Sequence, residues 1–229
     1  MTERPRPLPP RPIRSYTPRY RRSDLTEERM ATLMPRYGVP PLPLVRDALV
    51  GRNGRLILEI GTGHGAAALA YARVHPEAVV IAAEVHVPGV ARMLAVAEDQ
   101  SLANLRVYLG DAVDLLDGGI PDHSLDRIHL LFPDPWPKKR HAKRRLVQRH
   151  TLDAMARLLL PDGVLLVASD HPVYAEHLTE VVGTHAGFVM TEVERPEWKT
   201  ADGFEQKGLA AGRPARYWEL RPVSDAGGA

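Results

Sequence analysis

Short apolar runs alternate with longer amphipathic segments along most of the chain. Seven of these runs have the alternation or β-branched content that is typical of strands, at residues 55–60, 78–85, 105–109, 127–132, 163–168, 188–193 and 215–221. Between most of them apolar residues recur at helical spacing, at residues 66–75, 89–101, 143–160 and 172–186. This alternation predicts an α/β fold with a mostly parallel sheet. The last two runs resemble a hairpin, which indicates one antiparallel strand near an edge.

The two ends of the chain differ from this pattern. Residues 1–23 are rich in proline and arginine, which predicts an extended or disordered tail outside the fold. Two short helices are expected next, at residues 25–34, capped by Asp24 or Thr26 and closed by Pro35, and at residues 42–50. We therefore predict one domain over residues 24–222, with a frayed Gly/Ala/Ser-rich tail at 223–229.

Composition narrows the class of protein. The 229 residues are 44% hydrophobic and 25% charged, the balance of a globular protein of one domain. No apolar run is long enough for a membrane span, and the N-terminus lacks the apolar core of a signal peptide. Cysteine is absent, which excludes disulfides, thiolate zinc sites and cysteine nucleophiles. We expect a cytoplasmic protein, a monomer or homodimer, with no metal site and no membrane partner.

Positive charge is concentrated in two segments. Residues 1–22 contain seven arginines and one acid, and residues 135–152 contain seven lysines and arginines and no acid. Both segments are strongly positive, yet the net charge of the whole chain is only +2, so the remaining residues together carry a net negative charge. Local positive potential of this kind predicts a polyanionic partner such as a nucleic acid. A solvated surface and a solubilising tail would have the same composition, so charge alone leaves both interpretations open.

Acidic residues and a glycine loop follow successive predicted strands. The first strand leads into Gly61, Gly63 and Gly65, a loop that lets a nucleotide-like ligand approach the backbone. Glu59 precedes this loop, Glu84 ends the second strand and Asp111 follows the third. Parallel strands place such residues at one edge of the sheet. Each could instead cap a helix or a loop, as Asp111 would do before Ala112, but three together favour a binding site.

The acids also distinguish between two cofactors. The loop satisfies the pattern G-x-G-x-x-A, which dinucleotide-binding proteins share, so an NAD-dependent oxidoreductase stays open. Glu59 would repel an NAD pyrophosphate and attract the amino group of a methionine moiety. Glu84 is placed to accept from ribose hydroxyls, and Asp111 from an adenine amine. These residues favour S-adenosylmethionine, a cation, as the cofactor.

The fourth predicted strand ends in a proline-rich loop. The residues Phe132-Pro-Asp-Pro-Trp136 are followed at once by the cationic run 138–145. Prolines on both sides of Asp134 stiffen the backbone that positions its carboxylate, and Trp136 offers a face on which a base can stack. A rigid structural turn with a core tryptophan is the alternative, but it does not account for the cations that follow.

Taken together, these motifs closely resemble those of the bacterial tRNA (guanine-N7-)-methyltransferase family. The resemblance extends from about Ser15 to Leu220, and its most specific part is residues 132–145. It implies a class I methyltransferase-like (Rossmann-like) fold, an α/β seven-stranded, mostly parallel sheet with helices on both faces. It also implies that the protein is an enzyme that methylates a guanine in the variable loop of tRNA.

The resemblance assigns roles to individual residues. Asp134 would be catalytic and, with Glu59, Glu84 and Asp111, would surround S-adenosylmethionine. The target nucleoside would be contacted by a second set, Lys138, Asp170, Thr200, Phe204 and Glu205. RNA would lie against a third set, Lys139, Arg140, Lys143, Arg144 and Arg145. The family's Thr-x-Phe/Tyr-Glu motif is extended here by two residues between Thr200 and Phe204, which leaves the role of Thr200 open.

Two other functions remain open at this point. An amino-group methyltransferase uses an Asp/Asn-Pro-Pro-aromatic loop that the residues Asp134-Pro-Trp match loosely, but the second proline is missing. A basic RNA-binding module without catalysis would account for the arginines and would leave the three strand-end acids without a purpose.

Overall fold

The computed structural model describes Ile13 and residues 23–51, 54–201 and 203–223, without the side chain of Phe204. Seven strands form one sheet: β1 (Arg55–Ile60), β2 (Ala78–Glu84), β3 (Leu105–Leu109), β4 (Leu125–Leu131), β5 (Leu159–Ser169), β6 (Phe188–Val193) and β7 (Arg216–Pro222). The helices are α1 (Asp24–Tyr37), α2 (Arg46–Val50), α3 (Ala66–Val74), α4 (Val87–Asp99), α5 (Ala112–Asp114), α6 (Arg149–Leu158), α7 (Pro172–Gly183) and α8 (Gly203–Ala210).

The order of strands in the sheet is β3-β2-β1-β4-β5-β7-β6. The strands β1 to β5 run parallel to one another, and β7 runs antiparallel to both of its neighbours, β5 and β6. The order reverses between β1 and β4, and such a switch point opens a crevice at the carboxyl ends of the strands. The predicted class I methyltransferase-like fold, with its antiparallel strand near one edge, is confirmed.

The core lies on both faces of the sheet. One face packs against α3 and α4, whose alanines, Val90 and Leu94 cover Ile57 and Val80. The other face packs against α6 and α7, through residues such as Met155 and Leu178. The central strands are therefore buried on both sides, which explains their continuous apolar runs. Among the described helices, none combines the length and apolar character needed to cross a membrane.

The first helix differs from its prediction. It was expected to end before Pro35, yet α1 continues through this residue to Tyr37. The hydroxyl of Tyr37 donates to Glu98 of α4 at 2.8 Å, and its ring is buried, so packing between the helices offsets the hydrogen bond that proline removes. Ser23 caps the helix by accepting from Thr26 N, rather than Asp24 or Thr26 acting as the cap.

The prediction of one helix over residues 143–160 was wrong for residues 143–148. A 3₁₀ helix spans Lys139–Arg144, and α6 begins only at Arg149. Gln148 and Thr151 form a reciprocal capping box there, which fixes the start of α6. The connection between β6 and β7 was expected to be a loop, but it contains the helix α8. Most of the predicted tails, residues 1–12, 14–22 and 224–229, lie outside the described residues.

Candidate active site

A cavity of about 490 Å³ opens at the carboxyl ends of β1, β2 and β4, at the switch point of the sheet. It is lined by the glycine loop, by the ends of these strands and by the loop that follows β4. Four predicted acids line it: Glu59, Glu84, Asp111 and Asp134. The tertiary structure therefore brings together residues that are up to 75 positions apart in the sequence.

The three loop glycines adopt left-handed backbone conformations, with φ of 72° at Gly61, 58° at Gly63 and 80° at Gly65. Residues other than glycine rarely adopt a positive φ, because their Cβ atom is crowded there. A Cβ at Gly61 or Gly63 would meet no atom within 4 Å, whereas one at Gly65 would overlap the side chain of Met93. The glycines thus allow the strained turn and expose its backbone to the cavity without side chains. Gly65 also lets α3 pack against Met93 of α4.

Glu84 organises this loop. Its carboxylate accepts from the backbone N–H of Gly63 at 2.7 Å, of Val85 at 2.8 Å and of His86 at 2.9 Å. A carboxylate has about four lone-pair positions. Within the described residues these bonds use three of them, so one position on Oε2 remains for a hydroxyl in the cavity.

Glu59 is buried at the end of β1, with 3% of its surface exposed. Its neighbour in the sheet is His129 of β4, whose Nδ1 lies 3.7 Å from Glu59 Oε2. Complete burial lowers the pKa of His129 to about 3, and the positive charge of Arg127 contributes in the same direction. His129 is therefore neutral at physiological pH and does not cancel the negative charge of Glu59.

Asp111 and Asp134 complete the acidic lining. Asp111 caps α5 by accepting from Val113 N at 3.1 Å, so the capping interpretation is correct for this residue even though it also lines the cavity. Partial burial raises the pKa of Asp134 above its ordinary value, and the negative charge of Glu84 raises it further. The two carboxylates therefore act on one another within the same cavity.

The loop after β4 is held in an uncommon conformation. Phe132 and Trp136 have positive φ, 52° and 40°, which is strained for residues with large side chains. The guanidinium of Arg145 donates from Nε to the carbonyl of Pro135 at 2.9 Å and from Nη2 to the carbonyl of Trp136 at 3.0 Å. Arg145 is only 5% exposed. The structure thus places Arg145 beneath the loop that presents Asp134, and not on the surface that was expected to face RNA.

The remaining cations of the run are exposed, as expected. These are Lys138, Lys139, Arg140, Lys143 and Arg144. The Arg144 guanidinium lies 5.0 Å from the centre of the Trp136 ring, and both residues line the cavity. The basic surface therefore extends to the opening of the cavity.

The residues expected to hold the target nucleoside are placed less simply. Asp170 is paired with Arg213 at 3.0 Å, and Thr200 is exposed. Glu205 is buried and accepts from Arg195 at 3.2 Å, from Tyr217 at 3.0 Å and from Lys199 at 3.4 Å. None of these three candidates lines the cavity, and the side chain of Phe204 lies outside the described part of the chain.

The cavity is also lined by residues that the sequence did not indicate, among them Lys207 and Ile13. Lys207 projects from α8, on the same helix as Glu205, and no motif distinguishes it from other lysines. Ile13 is 4% exposed, although it belongs to the segment predicted to lie outside the fold. The only signal that the sequence offers for it is a β-branched aliphatic residue within a segment otherwise rich in proline and arginine.

Comparisons with known proteins agree with this geometry. Residues 53–216 match a family described as "Putative methyltransferase". A solved rRNA methylase from Streptococcus thermophilus shares the fold, with a TM-score of 0.51 at 12% identity over 78% of this chain and 92% of that one.

Two relatives are much more similar. A tRNA (guanine-N(7)-)-methyltransferase from Nitrosospira multiformis is 41% identical over 218 residues, 93% of this chain and 94% of that protein. One from Alkalilimnicola ehrlichii is 42% identical over 215 residues, 88% of this chain and 89% of that protein. Identity at this level over nearly the full length of both proteins shows that the chain belongs to the tRNA (guanine-N7-)-methyltransferase family.

Proposed function

We propose that the protein transfers a methyl group from S-adenosylmethionine to N7 of a guanine in tRNA, with the variable loop as the region that is modified. The observation that carries the proposal is the loop after β4. Its Asp134 lines the cavity, and the exposed basic residues 138–144 begin a few positions later. The names of the family's members support the substrate.

The carboxylates of the cavity match the hydrogen-bond donors of S-adenosylmethionine. Glu59 would accept from the amino group of the methionine moiety, Glu84 from a ribose hydroxyl through its remaining Oε2 position, and Asp111 from the adenine amine. The bound cofactor would supply an electrophilic methyl group on its sulfonium. Three carboxylates around one cavity favour a cation and disfavour a pyrophosphate.

Methyl transfer to N7 requires orientation of the base more than a strong general base. Guanine N7 has a free lone pair and no proton to lose, so we assign to Asp134 the task of accepting from the Watson–Crick edge of guanine. Its negative charge would also stabilise the positive charge that develops on the base. Arg145 contributes indirectly because it fixes the two carbonyls that follow Asp134.

The other nucleoside contacts belong to the same proposal. Lys138 is exposed next to the loop, and Asp170 follows β5 at the same end of the sheet. Glu205 would accept from the base once its carboxylate turns from Arg195, Lys199 and Tyr217 towards the cavity. Phe204 and Thr200 are assigned to the pocket by resemblance alone.

We propose the exposed cations of residues 138–144 as the tRNA surface, joined to the cavity through Arg144 and Trp136. Arg145 is omitted because its guanidinium is buried under the loop. Phosphate contacts of this type orient the RNA and depend on salt. The cytoplasmic location and the monomeric or dimeric state stay predictions.

Nucleoside analysis tests the proposal. The protein is incubated with labelled S-adenosylmethionine and bulk tRNA, and the modified nucleosides are separated. We expect 7-methylguanosine. N2-methylguanosine or N6-methyladenosine would support the amino-group alternative. Tight binding of NAD without binding of S-adenosylhomocysteine would support an oxidoreductase, and tRNA binding without either cofactor would support an RNA-binding module.

A further inference from the structure

A segment without regular structure, residues 194–201, lies between β6 and α8 in the chain. Its Trp198 packs against two separate groups of buried residues. One group lies around α3 and α4 and includes Tyr71; the other lies on β5 and β7 and includes Tyr217. Trp198 therefore joins the half of the sheet that carries the glycine loop to the half that carries α8.

At one end of this junction Trp198 stacks on His129. The two ring centres are 5.0 Å apart with 15° between the planes, and Tyr71 packs edge-on against Trp198 at 4.9 Å and against His129 at 5.0 Å. Within the described residues neither ring nitrogen of His129 has a hydrogen-bond partner. Packing between Tyr71 and Trp198 thus orients the His129 ring, whose Nδ1 lies 3.7 Å from Glu59 in the cofactor cavity.

On the side of the junction nearer to α8, Lys199, which follows Trp198 in the chain, binds Glu205. The Nζ of Lys199 donates to the Glu205 carboxylate at 3.4 Å and to the carbonyl of Thr200 at 2.9 Å. It also lies 5.5 Å from the centre of the ring of Phe132, which lines the cavity. Lys199 is 2% exposed and follows Trp198 directly in the chain, so we expect a shift of Trp198 in this closely packed interior to displace the Lys199 ammonium as well.

We propose that Trp198 is a positioning residue that couples occupancy of the cofactor cavity to the position of Glu205. Through His129 it contacts the wall formed by Glu59, and through Lys199 it places the carboxylate that is expected to recognise guanine. This inference rests on the proposed function. It predicts that cofactor binding and tRNA binding change one another's affinity, and that the coupling is reciprocal.

Coupling is measured from four dissociation constants. S-adenosylhomocysteine binding is titrated with and without saturating tRNA, and tRNA binding with and without saturating S-adenosylhomocysteine. In the unmodified protein we expect each ligand to change the affinity of the other about 5-fold or more. Trp198→Leu should reduce this factor to less than about 2-fold, while Trp198→Phe, which keeps an aromatic ring on His129, should restore most of it.

Trp218→Phe is the matched control, because Trp218 is buried on β7 and, like Trp198, contacts the core through a large ring. It should leave the coupling factor unchanged. Full coupling in a folded Trp198→Leu protein would overturn the inference. Independent binding of the two ligands in the unmodified protein would also overturn it, even if 7-methylguanosine forms. Absence of S-adenosylhomocysteine binding or of 7-methylguanosine would instead refute the proposed function.

Fluorescence provides a measurement that does not depend on the folding of Trp198→Leu. The variant Trp136→Phe/Trp218→Phe retains Trp198 as its only tryptophan, since the chain contains three. We expect its emission to shift or change in intensity when S-adenosylhomocysteine saturates the cavity. Unchanged emission at saturation would show that Trp198 does not sense the cofactor and would overturn the inference.

Discussion

Arg145 offers a sharp test of the structure, because sequence and structure assign it different tasks. In the sequence it belongs to the cationic run 138–145, which was expected to bind RNA. In the structure its guanidinium makes hydrogen bonds of 2.9 and 3.0 Å to two carbonyls of the loop that carries Asp134. Replacing it with methionine keeps much of the side-chain volume and removes both bonds.

The expected cost follows from these two contacts. A hydrogen bond from a charged donor contributes about 1.5–3 kcal/mol, and part of this is offset by the desolvation of the buried guanidinium. Arg145→Met should therefore lower the free energy of unfolding by about 3 kcal/mol. In a protein of this size, that corresponds to a fall in Tm of roughly 6–12 °C. We also expect kcat for tRNA methylation to fall about 10-fold or more, because Asp134 loses its fixed position.

Arg140→Met is the matched control, since Arg140 is exposed on the 3₁₀ helix of the same basic run. Its removal should change stability by less than about 0.5 kcal/mol. It should flatten the dependence of tRNA binding on salt by about one unit of slope, whereas Arg145→Met should leave the slope unchanged. Thermal unfolding, single-turnover methylation and binding at several salt concentrations measure the three effects. Identical results for the two variants would refute the reasoning.

Three further predictions concern the cavity. Asp134→Asn should keep the fold and lower kcat on the order of 10²-fold in the methylation assay; full activity would make the loop purely structural. Gly65→Ala should reduce Tm and affinity for S-adenosylhomocysteine more than Gly61→Ala does. Both strain the backbone, but only the former overlaps Met93; equal losses would contradict this. His129 binds a proton in the unfolded state below its ordinary pKa of about 6.5, but in the folded state its pKa is about 3. Stability should therefore fall as pH drops between these values, by up to about 1.4 kcal/mol per pH unit. Chemical unfolding of His129→Phe should show a weaker dependence, and an unchanged one would exclude this source.

Periodicity alone was sufficient to predict the sheet. The bounds of β1, β3 and β6 agree with the apolar runs at residues 55–60, 105–109 and 188–193. Buried parallel strands require continuous apolar sequence, and a nucleotide-binding loop requires glycine, so both features are visible without tertiary information. The acids at the ends of β1 and β2 were predicted to share one crevice for the same reason, and the cavity contains them.

Local sequence was a weaker guide where distant contacts decide the conformation. The helix α1 continues through Pro35 because Tyr37 packs on α4 and bonds to Glu98, a residue 61 positions away. Ile13 is buried beside the cavity even though its neighbours in sequence are prolines and arginines. In both cases burial against another element outweighs the local preference of the chain.

The sequence by itself determined the order of the strands along the chain, the glycine loop, the acids of the cavity and the family motif. Only the tertiary structure decided which charged residues face outward. In sequence nothing distinguishes Arg145 from its exposed cationic neighbours, yet it is buried against carbonyls of the loop after β4. The family motif singles out Glu205 but does not show that it is buried with partners on the segment 194–201 and on β7. A buried charge persists only where such partners compensate its desolvation. Whether they are present depends on three-dimensional proximity, which residue type and spacing along the chain do not specify.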